Sequence, residues 1–336
     1  MKRLFQYIAI FSVLLVTGVY LIFFLKNSGS KQATEYINVP RGASVSSVTD
    51  SLAKHDLIRS KFLFRLAARF LGTGSKLQPG SFQITGGLSN TEIITRLVGS
   101  EFAILFEATF PEGSNIRRIA SIAKEKLGLD SALFIKTAHD TAFIHSLGIP
   151  REAKTAEGYL FPDTYRFYLM MTPQELVKRM VGKWKETALA VGLNSRRTTT
   201  QNLSLHQLMT LASIVEAEAR LAVERDTIAG VYSNRLKIGM KLDADPTVQY
   251  GLGLSRPITH NDLLKPNPYN TYFNVGLPPG PICNPGKPAI IAALNPAHHD
   301  KLFFVARGDG SGGHYFSHTS AEQSKMIRLS NRNERE

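Results

Sequence analysis

The 336-residue sequence holds one cysteine, Cys283, and one tryptophan, Trp184. A lone thiol excludes an internal disulfide, and the lack of any C-x-x-C excludes a zinc site built on paired cysteines. There is no H-E-x-x-H and no G-x-S-x-G, so zincin and α/β-hydrolase chemistry lack their signatures. Gly72-Thr73-Gly74-Ser75-Lys76 lacks the P-loop spacing and reads as a polar loop. His298-His299-Asp300, flanked by Pro and Ala, reads as a turn rather than a metal site, and Cys283 has no committed histidine partner for nucleophilic work. Acidic residues are also in deficit, 27 against 40 lysines and arginines, for a net charge of +13. That balance suits anionic surroundings such as phospholipid headgroups or acidic wall polymers. The basic residues are scattered and no nucleic-acid-binding motif occurs, so nucleic acid is not expected as a partner.

Long apolar runs are lacking too, with one exception. Residues 5–25 (FQYIAIFSVLLVTGVYLIFFL) carry no charge, and as a helix they reach about 31 Å at about 1.5 Å per residue, matching a hydrocarbon core of ~30 Å. The run ends in bulky Phe23-Phe24-Leu25 and then Lys26, without the small-residue site of a cleaved signal peptide, and no cysteine follows for a lipid anchor. It reads as an uncleaved single-pass anchor. With so short a leading tail, the simplest topology keeps residues 1–4 in the cytoplasm and exports the rest. An exported chain without disulfides suits a bacterial envelope.

Beyond the anchor, a hydrophobic content of 43% indicates a folded body with a substantial core, large enough for two or three domains. Residues 27–37 are small and polar and read as a tether. A weak repeat follows at an offset of 71. Val39-Pro40-Arg41-Gly42 parallels Phe110-Pro111-Glu112-Gly113, each predicting an extended residue, a Pro-x-Gly turn, a cap (Ser44 or Asn115) and an amphipathic helix. Between the copies, residues 79–84 predict a strand, and Ser89 or Asn90 could cap a further helix. Such strand–turn–helix units resemble glycan-binding LysM modules, although the pattern alone favours a generic α+β packing unit. Residues 157–167 (EGYLFPDTYRF) form an aromatic loop that could stack on sugars or plug a core, the two readings being equal on sequence alone.

The second half carries a glutamate inside an apolar helical pattern. At about 100° per residue, Leu205, Leu208, Met209, Ala212, Val215 and Ala219 share one face. Glu216 projects onto it between Leu205 and Met209, while Glu218 falls outside the stripe. A carboxyl driven towards a desolvated face tends towards a raised pKa, as a general acid near neutral pH needs; a partly buried Glu held by an Arg is the bland alternative. A second helix is expected from Glu224-Arg225-Asp226 to about Leu236, ended by Gly239. Stiff polar loops follow at residues 243–247, 267–272, 276–281 and 284–286, natural walls for a cleft that binds a polar polymer. Residues 302–306 predict a buried strand, 308–313 a tight turn and 314–317 a returning strand.

These motifs together carry a resemblance. Ala212-Ser213-Ile214-Val215-Glu216-Ala217-Glu218, Glu224-Arg225-Asp226, Asn234-Arg235-Leu236, Asp245-Pro246-Thr247-Val248, Tyr250-Gly251 and Tyr269-Asn270-Thr271-Tyr272 stand in order. So do Gly276-Leu277-Pro278-Pro279-Gly280-Pro281-Ile282, Asn284-Pro285-Gly286, Phe303-Phe304-Val305-Ala306 and His314-Tyr315-Phe316-Ser317, with Glu157-Gly158-Tyr159-Leu160-Phe161-Pro162-Asp163 upstream. The set resembles the YceG-like family, whose best-known members are endolytic murein transglycosylases, over most of residues 38–325. Two departures stand out: Asp243 where relatives often carry Gln, and Cys283 where small or apolar residues are usual.

The resemblance implies an α+β protein of the inner membrane with a periplasmic body. Its expected parts are a cytoplasmic tail at 1–4, a transmembrane helix at 5–25, a tether at 26–37, a LysM-like subdomain at 38–105 and a catalytic domain at 106–336. It implies cleavage of the β-1,4 bond between N-acetylmuramic acid and N-acetylglucosamine within nascent glycan strands, leaving 1,6-anhydro-muramyl ends, and a role in terminating strand elongation. Expected partners are glycan strands, membrane lipid through the N-terminal helix, and wall synthases; no metal or organic cofactor is implied. The first glutamate of the Glu-x-Glu pair, Glu216, is the implied catalytic group, with Glu218, Asp245, Asn270 and Tyr272 expected around the sugar. For Glu218 the favoured reading is instead to hold the following helix through Arg225. Two rivals stay open: a two-carboxylate muramidase pairing Glu216 with Asp245 or Glu218, and a non-catalytic glycan-binding anchor.

Overall fold

The structure, a computed structural model, describes residues 2–27, 34–40, 42–99, 103–104, 106–167, 171–193 and 202–335. Two compact units divide it, one of residues 1–107 and 166–171, the other of 108–165 and 172–336.

The first unit opens with α1 (Lys2–Phe23), which buries none of its residues and is long and apolar enough to cross a membrane. Then come β1 (Thr34–Val39), α2 (Val45–Lys54), α3 (Lys61–Phe70), β2 (Gly80–Thr85), α4 (Asn90–Val98) and β3 (Ala103–Ile104). The strands form one antiparallel sheet in the order β1-β2-β3, with Thr34 opposite Thr85 and Val39 opposite Gly80. Ile37 and Val39 of β1, Phe82 and Ile84 of β2, Val48 and Leu52 of α2, Phe64 of α3, and Ile93 and Leu97 of α4 make its core. The expected tether is shorter than read. Lys26 and Asn27 are bonded to the start of α4, and residues 34–37 are already strand because Ile37 has a core to enter. Residues 28–33 of that tether, and Arg41 of the first turn, lie outside the described residues.

The second unit contains β4 (Phe106–Thr109, shared with the first), α5 (Ile116–Leu127), α6 (Ser131–Ala138), α7 (Thr141–Ser146), β5 (Thr164–Phe167, also shared) and α8 (Pro173–Ala190). It continues with α9 (Leu205–Glu218), α10 (Arg225–Lys237), α11 (Asp245–Gly251), α12 (His260–Leu263), α13 (Lys287–Leu294), β6 (Phe303–Ala306), β7 (His314–Ser317) and α14 (Ser320–Asn333). The two turn copies behave alike. Gly42 and Gly113 take φ of +78° and +72°, a region open to glycine, and Ser44 and Asn115 then cap α2 and α5 by accepting from Ser47 N–H and Arg118 N–H. Ser89, rather than Asn90, caps α4, in a capping box with Glu92. β6 and β7 form the expected hairpin, with Phe303 opposite Ser317, although β6 is only half-buried. Asp245 and Pro246 open α11 instead of forming a loop, Pro246 fitting the first helical turn, where no N–H is needed.

α9 is the hub of this unit. It starts at a Ser204–Gln207 capping box and packs on α13, α10 and α11. Every residue from Leu208 to Val215 is buried, so the helix has no solvent face there. The apolar stripe read from its periodicity is therefore one side of a helix that is enclosed all round.

Candidate active site

Glu216 stands in the last turn of α9, with 7% of its side chain exposed. One oxygen, Oε1, faces Arg225 Nη2 at 3.4 Å; the other, Oε2, accepts the N–H of Gly286 at 3.0 Å. Arg225 is the first residue of α10 and Gly286 the N-cap of α13, so three helix ends meet at one carboxyl group. The start of α13 adds the partial positive charge of its unpaired N–H groups.

A second carboxylate shares this place, and the sequence reading passed it over as a turn residue. Glu112, in the Pro111-Glu112-Gly113 turn, brings Oε2 within 4.0 Å of the same Arg225 Nη2. Its carboxyl lies against the α-carbon of Gly286, where any Cβ would collide with Glu112 Oε1. Gly113 faces Glu216, whose Cγ would lie 3.8 Å from a Cβ built there. Partial burial, then the charge of Glu216, push the Glu112 carboxyl above its ordinary value, and Arg225 opposes them. Arg225 Nε is buried and has no hydrogen-bond partner among the described residues.

Around this pair the motifs interlock. Asn284 accepts Leu160 N–H through Oδ1 at 2.8 Å and donates Nδ2–H to Ser114 O and Glu157 Oε1, both at 2.8 Å. Its main chain accepts Gly113 N–H and donates to Ser114 O, each at 3.0 Å. Glu157 also accepts Ile116 N–H at 3.1 Å, at the start of α5, and the Tyr250 hydroxyl at 3.3 Å. Burial pushes this carboxyl up to about 8, against the pull of those donors and of Arg117. Ser213 of α9 accepts Ile282 N–H at 3.0 Å, and the Cys283 thiol donates to Ser213 O. Burial raises that thiol far above its usual range, which suits packing and not nucleophilic attack. Tyr159, Leu160, Phe161 and Tyr165 are buried, and Trp184 stands edge-on to Tyr159 at 4.9 Å. The aromatic loop is thus a core plug, and offers no open ring face for a sugar.

The other expected site residues divide. Glu218, Asp245 and Tyr272 come together: Tyr232 donates to Glu218 Oε1 at 3.0 Å, Tyr272 donates to Asp245 Oδ1 at 2.6 Å, and the Asp245 charge acts on Glu218. Burial pushes Glu218 up to about 7; Tyr232 and Arg235 pull it down and Asp245 pushes it up. Glu218 does not hold α10 through Arg225, which turns to Glu216 instead. Asn270 does not line a cleft. It is fully buried, donates to Leu263 O and Lys265 O at 2.9 Å each, and accepts Tyr272 N–H, closing its own loop. Asp243 sits at φ +45° and approaches Arg235 Nη1 at 3.8 Å. A cavity of about 690 Å³ lies at the opposite end of α9, between His206, Thr210 and the 276–279 loop, and does not include Glu216.

Comparison with known proteins places these motifs. The model of the YceG-like family matches residues 37–329. An endolytic murein transglycosylase of Bacillus subtilis (strain 168) is 33% identical over 320 residues, covering 90% of this chain and 87% of that protein. One of Streptococcus pneumoniae (strain ATCC BAA-255 / R6) is 27% identical over 299 residues, 80% of this chain and 54% of that protein. A crystal structure of a yceG-like protein from Listeria monocytogenes superposes with a TM-score of 0.61 at 30% identity, over 88% of this chain and all of that one.

Proposed function

The chain belongs to the YceG-like family, and from that premise we propose that it is a membrane-anchored endolytic murein transglycosylase with Glu216 as its catalytic group. One observation carries the assignment. Segments far apart in sequence, around Glu112, Arg225 and Gly286, converge on the Glu216 carboxyl, and Asn284 and Glu157 bond these segments to one another. A packing glutamate needs one partner; this one has a frame built round it, with the opposing carboxylate and the guanidinium of an electrostatic site.

In the proposed reaction Glu216 protonates the glycosidic oxygen leaving towards N-acetylglucosamine, and the bond from that oxygen to C1 of N-acetylmuramic acid breaks. Positive charge develops at C1. The C6 hydroxyl of the same sugar attacks C1 and gives its proton to the Glu216 carboxylate, closing the 1,6-anhydro ring and restoring the acid. No water is consumed, so one carboxyl can act as acid and then base. Arg225 and Gly286 N–H stabilise its charged form between the two steps. Glu218, Asp245 and Tyr272 are proposed to orient sugar; the burial of Asn270 assigns it to loop support instead.

The wider reading follows the family. Residues 1–4 are cytoplasmic, α1 crosses the inner membrane, and the body lies in the periplasm, with residues 106–336 catalytic. Residues 38–105 act as a LysM-like glycan-binding subdomain, a reading supported by the β1-α2-α3-β2 order and antiparallel pairing. Glycan strands are the substrate and wall synthases the proposed partners. A second reading has its own observation: Glu218, enclosed and pushed up to about 7, has the profile of a general acid near neutral pH. Digestion of polymeric glycan by Glu216→Gln and Glu218→Gln separates the two. Cleavage that is lost in the first variant and retained in the second supports Glu216; the reverse pattern transfers the role.

A further inference from the structure

The end of α1 is bonded into the first unit without slack. Asn90 Nδ2 and Thr91 Oγ1 donate to Ile22 O and Phe23 O, the last carbonyls of α1, at 2.8 Å each. Asn27 donates to Leu88 O at 2.8 Å and accepts Arg59 N–H at 2.9 Å, and Lys26 grips both oxygens of Glu92. Ile22 and Phe23 pack on the core of the unit. A 22-residue helix is about 33 Å long, enough to cross the hydrocarbon, so a spanning α1 brings Phe23 and Phe24 to the membrane–water boundary. Whatever is fixed beside Phe23 is then at headgroup depth.

What is fixed there is α3. Its inner face buries Phe64, Ala67 and Ala68. Phe62, Leu66 and Phe70, four residues apart and so on one face, form a second apolar stripe. Phe62 and Phe70 are 70% and 71% exposed, Leu71 is 40% exposed, and the Phe70 ring lies 6.2 Å from that of Phe23. Beside the stripe run Lys61, Arg65 and Arg69, also four apart, with Arg59 just before the helix, and α3 has no acidic residue. Asp50 pairs with Lys61 and Arg65, while among the described residues Arg59 and Arg69 have no carboxylate in ion-pair range. Two large phenylalanines in water beside a row of cations are unexplained by the fold of the unit.

We propose that α3 is an interfacial helix, its Phe62–Leu66–Phe70 stripe seated in the outer surface of the bilayer that α1 crosses and its cations on anionic phospholipid headgroups. Continuity with the end of α1 and the matching of charge select lipid over a protein partner. The subdomain is thereby held in one orientation on the membrane, gripped at two places instead of swinging from a leash. This rests on α1 being a membrane anchor, which flotation with vesicles tests separately.

The test uses the full chain with Phe62→Trp, reconstituted in vesicles of phosphatidylcholine and phosphatidylglycerol, part of the phosphatidylcholine carrying bromine on its acyl chains. Trp184, the only native tryptophan and a buried one, supplies the background, subtracted with wild type. The proposal predicts that the new indole emits at blue-shifted wavelengths and is quenched by the brominated lipid, and that quenching weakens in phosphatidylcholine alone. A variant that floats with the vesicles and melts like wild type, yet emits as in water and ignores bromine, overturns it and leaves the stripe to a protein partner. Equal quenching in both lipids overturns the anionic part. Loss of flotation by the wild type removes the anchor and the proposal with it. If Phe62→Trp does not fold, Phe70→Trp serves the same comparison.

Discussion

At the scale of single residues the site turns on one nitrogen, Arg225 Nη2, shared by two carboxylates. Glu112 feels the negative charge of Glu216. Glu112→Gln removes one of the two charges that share Arg225 and should lower turnover with the melting temperature intact. Unchanged turnover would make Glu112 a mere wall of the site. Gly286→Ala gives a related outcome. The backbone there (φ −74°) accepts alanine, but the methyl collides with the half-exposed Glu112 carboxyl, which must swing out. Turnover should fall about tenfold or more, an effect of about 1.4 kcal/mol on the barrier, with little change in melting temperature. Combined with Glu112→Ala it should add almost nothing, because both substitutions remove the same contact. Full additivity of the two losses would contradict that geometry.

At the scale of elements, the frame around Glu216 is as exacting as the site. Ser213, inside α9, satisfies Ile282 N–H and so holds the 276–286 loop against the helix. Ser213→Ala leaves that buried donor unpaired and should cost about 1–3 kcal/mol of stability, read from denaturant unfolding. Glu157 gives the frame a pH dependence. Its folded value of about 8 exceeds the ordinary 4.5, so the stability tied to its proton is full below about 4.5 and is lost as pH rises towards 8. Glu218, at about 7, works in the same direction. Trp184 lies in the same unit and reports this unit's unfolding. Between pH 5 and 8 the unfolding free energy should fall, Glu157 contributing a slope of up to about 1.4 kcal/mol per pH unit. Glu157→Gln should flatten the curve; an unchanged slope would mean the carboxyl is already ionised in the folded state.

What the sequence revealed and what it hid also divides at this scale. Caps, turns and the β6–β7 hairpin were legible because they depend on neighbours a few residues away: Ser44, Asn115, Ser89 and Gly239 each mark a boundary by local chemistry. The surroundings of α9 were not. Periodicity reports one apolar face, but α10, α11 and α13 enclose the helix from several sides, and none of that follows from spacing within residues 205–219. The aromatic loop was ambiguous for the same reason, since a ring bound for a core and a ring bound for a sugar look alike until Trp184 and His206 are placed around Tyr159. Glu112 was missed because its partner Gly286 is far away in sequence. One local signal could have found it. In two otherwise parallel Pro-x-Gly turns, the first carries Arg41 and the second Glu112, and the change of sign in the second puts a carboxylate beside Arg225.

At the scale of the whole molecule, a +13 chain has, among the described residues, one helix long and apolar enough to cross a membrane, a combination that suits an anionic surface. The first unit carries the proposed anchor and the proposed interfacial helix; the second carries the carboxylate pair and its frame. The central claim is that Glu216 breaks the glycan by intramolecular attack and not by water. The direct measurement is mass spectrometry of the ends formed when the full-length protein digests polymeric murein, run beside Glu216→Gln. The account predicts 1,6-anhydro-muramyl ends inside the strands for wild type and none for the variant. Reducing muramyl ends from wild type, or anhydro ends persisting in Glu216→Gln, would contradict it.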